Sequence, residues 1–299
     1  MTPRLLARTF LGVLACLGAS VSLLSAADDR AVVVVLSSKS GPYQQALQGF
    51  QRTFGQAART YALSEGDPKI SPETKVIVAI GGKAAVHAYQ AGRTLIYCLA
   101  PGTKVASDQY DGRLLKIHTS PSVALTIGWF KEIQPSLKRL AILWNGDSIR
   151  DYFGQKTNIS DRFGVELVSD RIQSNDSLPD HLRALKGNAD AIWLPPDPAI
   201  VTAENFATIR EFSIANGIPF YAPSEGLVDQ GAVAAVSASF EDIGALAGEY
   251  ARDALSGTLP EGDSVFPEKA HATLNVSAAK ACGLRLSPEL EKKADRVIS

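Results

Sequence analysis

The sequence predicts an α/β protein built as two lobes, each a parallel sheet covered by helices. Short apolar runs such as residues 31–36 (AVVVVL) and 76–80 are too brief for a helix and apolar on both faces, which suits buried strands. They alternate with segments whose apolar residues recur at helical spacing. The alternation runs once from residue 31 to about His118 and again from Leu137, and two β/α series in succession give two lobes.

Residues 189–226 (ADAIWLPPDPAIVTAENFATIREFSIANGIPFYAPSEG) hold one complete strand, loop, helix, strand, loop unit. The apolar run 191–194 must stop at Pro195, Pro196 and Pro198, since proline neither continues a helix nor donates to a sheet. Phe206, Ile209, Phe212 and Ile214 then follow at near-helical spacing, and Asn216-Gly217 supplies the C-cap. Residues 218–222 form the next strand and open into Pro223-Ser224-Glu225-Gly226. Strands joined by such a helix run parallel through a right-handed crossover, and ligands in such sheets sit beyond the strands' carboxyl ends. The loops at 195–198 and 222–226 are candidates for a site, with ordinary turns as the rival reading.

In the first series, residues 31–36 end in Ser37-Ser38-Lys39-Ser40-Gly41, and Tyr43, Leu47, Phe50 and Phe54 continue at helical spacing behind Pro42. A Ser-rich loop feeding a helix N-terminus either offers unpaired N–H groups to an anion or simply caps the helix. Strands are expected at 60–64, 76–80, 94–99 and 114–119. The third strand runs into Gly81-Gly82-Lys83 and a helix over 84–91, without the GxxxxGK spacing of a phosphate-binding loop.

The second series opens with a helix from Ser120-Pro121-Ser122 through Phe130, then a strand at 140–144 with the loop Asn145-Gly146-Asp147-Ser148. A helix to about Phe163, a strand at 166–169 and a helix near 178–185 lead to the unit described above. Residues 231–237 are a further strand, and 239–256 a helix whose Gly244 and Gly248 permit close packing on a sheet. A last strand at 271–276 precedes terminal helices. Taken as three crossings between the lobes, 114–119, 232–237 and 271–276 form a hinge whose closure buries a ligand. Lobe I is then 28–118 with about 239–268, and lobe II 119–238 with about 272–299.

At 299 residues, with 45% hydrophobic and 20% charged residues, the chain has the composition of a soluble two-domain protein. Residues 1–27 differ: Arg4 and Arg8 precede an apolar run, and Ser25-Ala26-Ala27 provides a cleavage site, the pattern of a secretory signal peptide. Val13-Leu14-Ala15-Cys16 also resembles a bacterial lipobox, which would lipidate Cys16. Both readings place the mature chain outside the cytoplasm. Without Arg4 and Arg8 there remain 28 basic and 31 acidic groups, so no basic groove for nucleic acid is implied. Cys98 and Cys282 would remain, and spacing alone does not decide whether they pair.

Catalysis would need a nucleophile, a base and an orienting group close together. None of His87, His118, His181 and His271 follows a carboxyl-end loop, and G-x-S-x-G and HExxH are absent. Ser224-Glu225-Gly226 is only superficially nucleophile-like, so a hydrolase is the weaker alternative and neither metal nor cofactor is expected.

The chain from about residue 31 resembles the type 1 periplasmic binding proteins of ABC importers, in particular the group associated with tryptophan and tyrosine uptake. The matching segments are the first strand with its Ser-rich loop and YQQALQGF, then ADAIWLPPDPAIV, IPFYAPSEGLVDQGAVAAVSASFEDIGALAGEYARDALSGTLP and TLNVSAAKACGLRLSPELEKKADRVI. The resemblance implies two Rossmann-like lobes, a small organic ligand in the cleft, and permease subunits as partners of a monomeric protein. Residues 51–73 are compressed relative to that family, Pro195-Pro196-Asp197 stands where a threonine commonly precedes the Asp, and Pro223 follows Tyr221 by two residues. An aromatic amino-acid ligand is therefore not carried over.

For a bound solute, lobe I would offer Ser38, Ser40 and Tyr43 at the polar end, with Gly81, Gly82 and Lys83 beneath. Lobe II would offer Asn145, Asp197, Ser224 and Glu225, with Tyr221 or Trp193 as an apolar wall, and Trp193 equally a core residue. Asp197 and Glu225 suit an amino group, and Lys83 with the helix N-termini a carboxylate, so an amino acid is one expectation. The alternative reading keeps the fold and makes the chain an exported ligand-sensing module for a membrane signalling protein.

Overall fold

The computed structural model describes residues 31–103, 105, 110–146 and 159–299. The expected leader at 1–27, Cys16, Asp147, Ser148 and the start of the helix expected to end near Phe163 lie outside the described residues.

Among the described residues the first sheet holds β1 (Val32–Leu36), β2 (Arg59–Ala62), β3 (Val76–Ile80), β4 (Thr94–Cys98), β5 (Leu114–Ile117) and, from much later in the chain, β11 (Ser264–Val265). Their order is β11-β5-β4-β3-β1-β2, and every pairing is parallel. All residues of β1 and β3 are buried, as strands covered on both faces must be. The second sheet runs β13-β12-β10-β9-β8-β6-β7. Its strands are β6 (Arg139–Trp144), β7 (Glu166–Arg171), β8 (Ala191–Trp193), β9 (Phe220–Ala222), β10 (Ala234–Ser237), β12 (His271–Asn275) and β13 (Arg296–Ile298). Within it β12 runs antiparallel to β10, with His271 opposite Ser237. Each sheet separates two hydrophobic clusters, one on either face.

Helix α1 (Gly41–Phe54) has Pro42 in its first turn, buries Ala46, Leu47, Phe50 and Phe54, and stops at Gly55, whose φ of 69° is the left-handed cap. The sequence predicts a helix over 84–91, but α2 (Gly82–Ala85) is a single turn. Val86 leaves it, and the Tyr89 hydroxyl folds back to donate to the Ala84 carbonyl, 2.8 Å away, so His87 lies outside any helix. The second lobe carries α3 (Val123–Ile133), α4 (Ile159–Phe163), α5 (Leu178–Leu185), α6 (Ala203–Asn216) and α7 (Glu225–Val228), the last a turn in what reads as loop. After α8 (Phe240–Ser256), the chain ends with α9 (Val276–Ala281), α10 (Pro288–Lys293) and β13.

Helix α8 follows β10 of the second sheet yet packs on the first lobe. Gly244 and Gly248 serve a helix partner there: a Cβ on Gly244 would lie 1.8 Å from the Ala46 carbonyl oxygen of α1. Gly49 of α1 makes the reciprocal approach: a Cβ there would lie 1.9 Å from the Glu241 carbonyl oxygen. No other residue permits this separation.

The strands at the expected hinge belong to the sheets, and the links themselves are shorter. They are residues 118–122 between β5 and α3, 238–239 between β10 and α8, and 266–270 between β11 and β12. The first and third are fastened together: the His118 N–H donates to the Val265 carbonyl at 2.9 Å, and the His118 ring stacks on Phe266 at 4.0 Å. No described helix is long and apolar enough to cross a membrane.

Candidate functional site

Loops at the strands' carboxyl ends line a cavity between the lobes. Its volume is about 730 Å³, within the range of small-molecule sites. Gln45 of α1, Pro101 after β4 and Phe240 at the start of α8 line it from the first lobe. Thr119 and residues 237–239 line it from the hinge, and Pro196, Asp197, Pro198, Pro223, Ser224, Glu225 and Leu227 from the second lobe. Val201, His271, Thr273, Asp295 and Arg296 also line it. Leu99, at φ 49°, turns the chain out of β4 towards Pro101, a strained geometry held by its surroundings. A pocket of about 30 Å³ beside it, between Tyr97, Lys116, His118 and Pro196, has room for about one water.

Proline dictates the second-lobe wall. Pro195, Pro196 and Pro198 end β8, and Asp197 between them is 2% exposed. Its Oδ2 accepts the N–H groups of Asn145 at 2.7 Å and Gly146 at 2.8 Å, and its Oδ1 accepts that of Ala199 at 3.0 Å. Asp197 thus latches the loop after β6 to the loop after β8; where the sequence suggests an acceptor for a ligand's amino group, the carboxylate serves the backbone. Asn145 enters this latch through its main chain.

Ser224 and Glu225 face the cavity at the start of α7, both exposed. The Arg296 guanidinium braces this turn from β13, donating to Asp229 at 2.8 and 3.1 Å and standing 3.9 Å from Glu225. Tyr221 and Trp193 are not walls. Tyr221 is fully buried, stacked on Phe130 at 4.2 Å, and donates its hydroxyl to Gln134 at 2.8 Å. Burial raises its phenol well above the usual value. Trp193 packs edge-on to the same Phe130, at 5.6 Å.

In the first lobe the structurally committed serine is Ser37, which sequence reading passes over. It is 7% exposed, and its Oγ accepts the Ala84 N–H at 2.9 Å, capping α2. Gly81, at φ 102°, leaves room for it: a Cβ there would fall 2.5 Å from the Ser37 Oγ and 2.8 Å from the Tyr43 ring. Ser38, Ser40, Tyr43, Gly81, Gly82 and Lys83 are not among the cavity-lining residues. Ser40 is the N-cap residue of α1 without a side-chain bond to it, and Lys83 is exposed.

Titratable groups gather at one end of the cavity. His271 Nε2 lies 2.8 Å from Asp242 of α8, and its Nδ1 3.0 Å from Asp295. The hydrogen bond to Asp242 is the largest influence raising the imidazole above its ordinary value; burial opposes it and Asp295 adds to it. Burial pushes both carboxyls up, but the Ser239 and His271 bonds hold Asp242 below the usual range, and the Ala272 N–H and His271 do so for Asp295. Cys98 and Cys282 are free thiols, buried in the cores of different lobes, and burial pushes Cys98 up to about 12. Among the described residues no group of His, Cys, Asp and Glu could hold a metal ion.

Residues 70–298 match the family model described as ABC transporter substrate binding protein. A curated tyrosine-binding protein of Clostridioides difficile (strain R20291) is 24% identical over 245 residues, covering 72% of this chain and 67% of that protein. Among solved structures, a ligand-free, open substrate-binding protein with adhesive properties from Clostridium difficile superposes with a TM-score of 0.65 at 16% identity, covering 90% of this chain and 99% of that one. An ABC domain in complex with L-Trp from Streptococcus pneumoniae gives 0.59 at 17% identity, covering 89% and 99%. At these identities the structural likeness speaks for the fold.

Proposed function

The chain belongs to the ABC transporter substrate-binding protein family, with the type 1 periplasmic binding fold, and from that premise we propose that it is an extracytoplasmic protein delivering a small organic solute to an importer's permease subunits. The cavity of about 730 Å³ between two sheets carries this reading, because it lies where parallel sheets of this class present their loops. Binding and hinge closure are the whole task, with no chemistry on the solute. The leader at 1–27 would export the chain.

The solute class this wall suits best is a zwitterion. The exposed Glu225 carboxylate would take an ammonium group, Ser224 and Thr119 would add hydrogen bonds, and the prolines with Leu227 and Phe240 an apolar lining. The loop of Ser38 and Ser40 at the start of α1 would receive the carboxylate as the lobes close. The tyrosine-binding and L-Trp-bound relatives support an amino acid without fixing which one. A thermal-shift screen of L-tyrosine, L-tryptophan, other amino acids, small acids and purines tests this. A solute at 100 times its Kd adds about 2.7 kcal/mol, or roughly 4–5 °C for a protein of this size. No shift with any zwitterion would retire that class.

A further inference from the structure

We infer that His271 is a proton-operated clasp between the lobes: protonated, it ties α8 of the first lobe to the entrance of β13 in the second, and deprotonation slackens the hinge. The geometry favours the charged ring. Asp242 stands 2.8 Å from Nε2 and Asp295 3.0 Å from Nδ1. A neutral imidazole carries one N–H and could donate to only one of them; the other nitrogen would turn a lone pair towards a carboxylate.

The position makes this mechanical. Asp242 sits in the first turn of α8, immediately beyond the 238–239 link, and His271 opens β12, immediately beyond the 266–270 link. Asp295 precedes β13 and is fixed to β12 by the Ala272 N–H, 2.8 Å from its Oδ2. One imidazole thus bridges two of the three links. The remaining groups at the cluster do not replace it. Lys269 is 80% exposed with its ammonium 4.0 Å from Asp242, Arg296 beside Asp295 is bound to Asp229, and Ser239 donates to Asp242 at 2.5 Å. With His271 charged, the cations His271 and Lys269 balance two carboxylates; with it neutral, a negative charge is left over at the hinge. Because His271 and Asp295 line the cavity, lobe angle and solute access would respond together.

The test uses the ligand-free full chain, so it stands apart from the solute assignment. Spin labels at Gln56→Cys in the first lobe and Glu211→Cys in the second, both exposed, report the interlobe distance distribution between pH 5.5 and 9. The wild-type distribution should shift with a midpoint above the ordinary histidine value of about 6.5. H271Q should hold the high-pH distribution throughout. H181Q should keep the transition, since among the described residues His181 pairs with Asp170 of its own lobe, at 2.7 Å. A wild-type distribution that ignores pH, or an H271Q transition at the wild-type midpoint, overturns the clasp. If H271Q does not fold, ring nitrogen NMR of the wild type between pH 5.5 and 9 decides: a doubly protonated ring that loses its proton with a midpoint above about 6.5 and in step with the interlobe distance supports it, and a midpoint at or below that value, or one out of step with the distance, refutes it.

Discussion

Asp197→Asn separates two accounts of the second-lobe wall. The carboxylate is 2% exposed and accepts three backbone N–H groups, from Asn145, Gly146 and Ala199. An asparagine has a single acceptor oxygen. Placed where Oδ2 stands, it keeps the first two bonds, but its amide nitrogen then confronts the Ala199 N–H. Placed the other way, it loses two bonds. Hydrogen bonds to a charged group are each worth roughly 1.5–3 kcal/mol, and a buried donor left unpaired costs about 1–3 kcal/mol. The part-buried setting of these amides favours the lower values, so the ligand-free variant should lose about 2–4 kcal/mol. Urea denaturation followed by circular dichroism reads this as a lower midpoint at unchanged slope, and heating as a fall of roughly 3–7 °C. If Asp197 served only a ligand, the ligand-free protein would keep its wild-type midpoint. That result would refute the latch.

Gly244→Val should separate α1 from α8, since even a Cβ would stand 1.8 Å from the Ala46 carbonyl oxygen; a loss of at least about 3 kcal/mol is expected by denaturant titration. Tyr221→Phe should cost about 1–2 kcal/mol through the lost bond to Gln134 yet leave solute affinity unchanged by calorimetry. Stability against pH should form a plateau. His271, raised, contributes fully below about pH 6.5 and loses its contribution as pH rises through its folded value; Asp242 and Asp295, lowered, contribute above about pH 4 and lose theirs as pH falls. Thermal melts between pH 3 and 9 would show this, and H271Q should remove the alkaline decline and shrink the acid one, since His271 helps hold both carboxyls low.

Apolar runs made most of the fold legible. Residues 31–36 and 76–80 read as strands buried on both faces, which is how β1 and β3 sit. Strands β11 and β13 escape such reading because they have only two and three residues and are part-exposed; their pairing partners β5 and β12 create them. The site was less legible because side chains near strand ends are assigned by partners far away in sequence. Tyr221 meets Gln134 from 87 residues off, and Asp197 meets Gly146 from 51. Ser37 is told apart from Ser38 and Ser40 only by which hydroxyl reaches the Ala84 N–H. The His271 cluster joins residues 24 and 29 positions away, and no local motif announces it.

The claim that two lobes grip one solute is tested most directly by hydrogen exchange with and without the solute that stabilises the chain. Peptides covering 99–103 and 237–243 from the first lobe and hinge, and 199–203 and 224–230 from the second, should slow together at one solute concentration, because closure covers both walls at once. Protection confined to a single lobe, or lying away from the cavity, would contradict it.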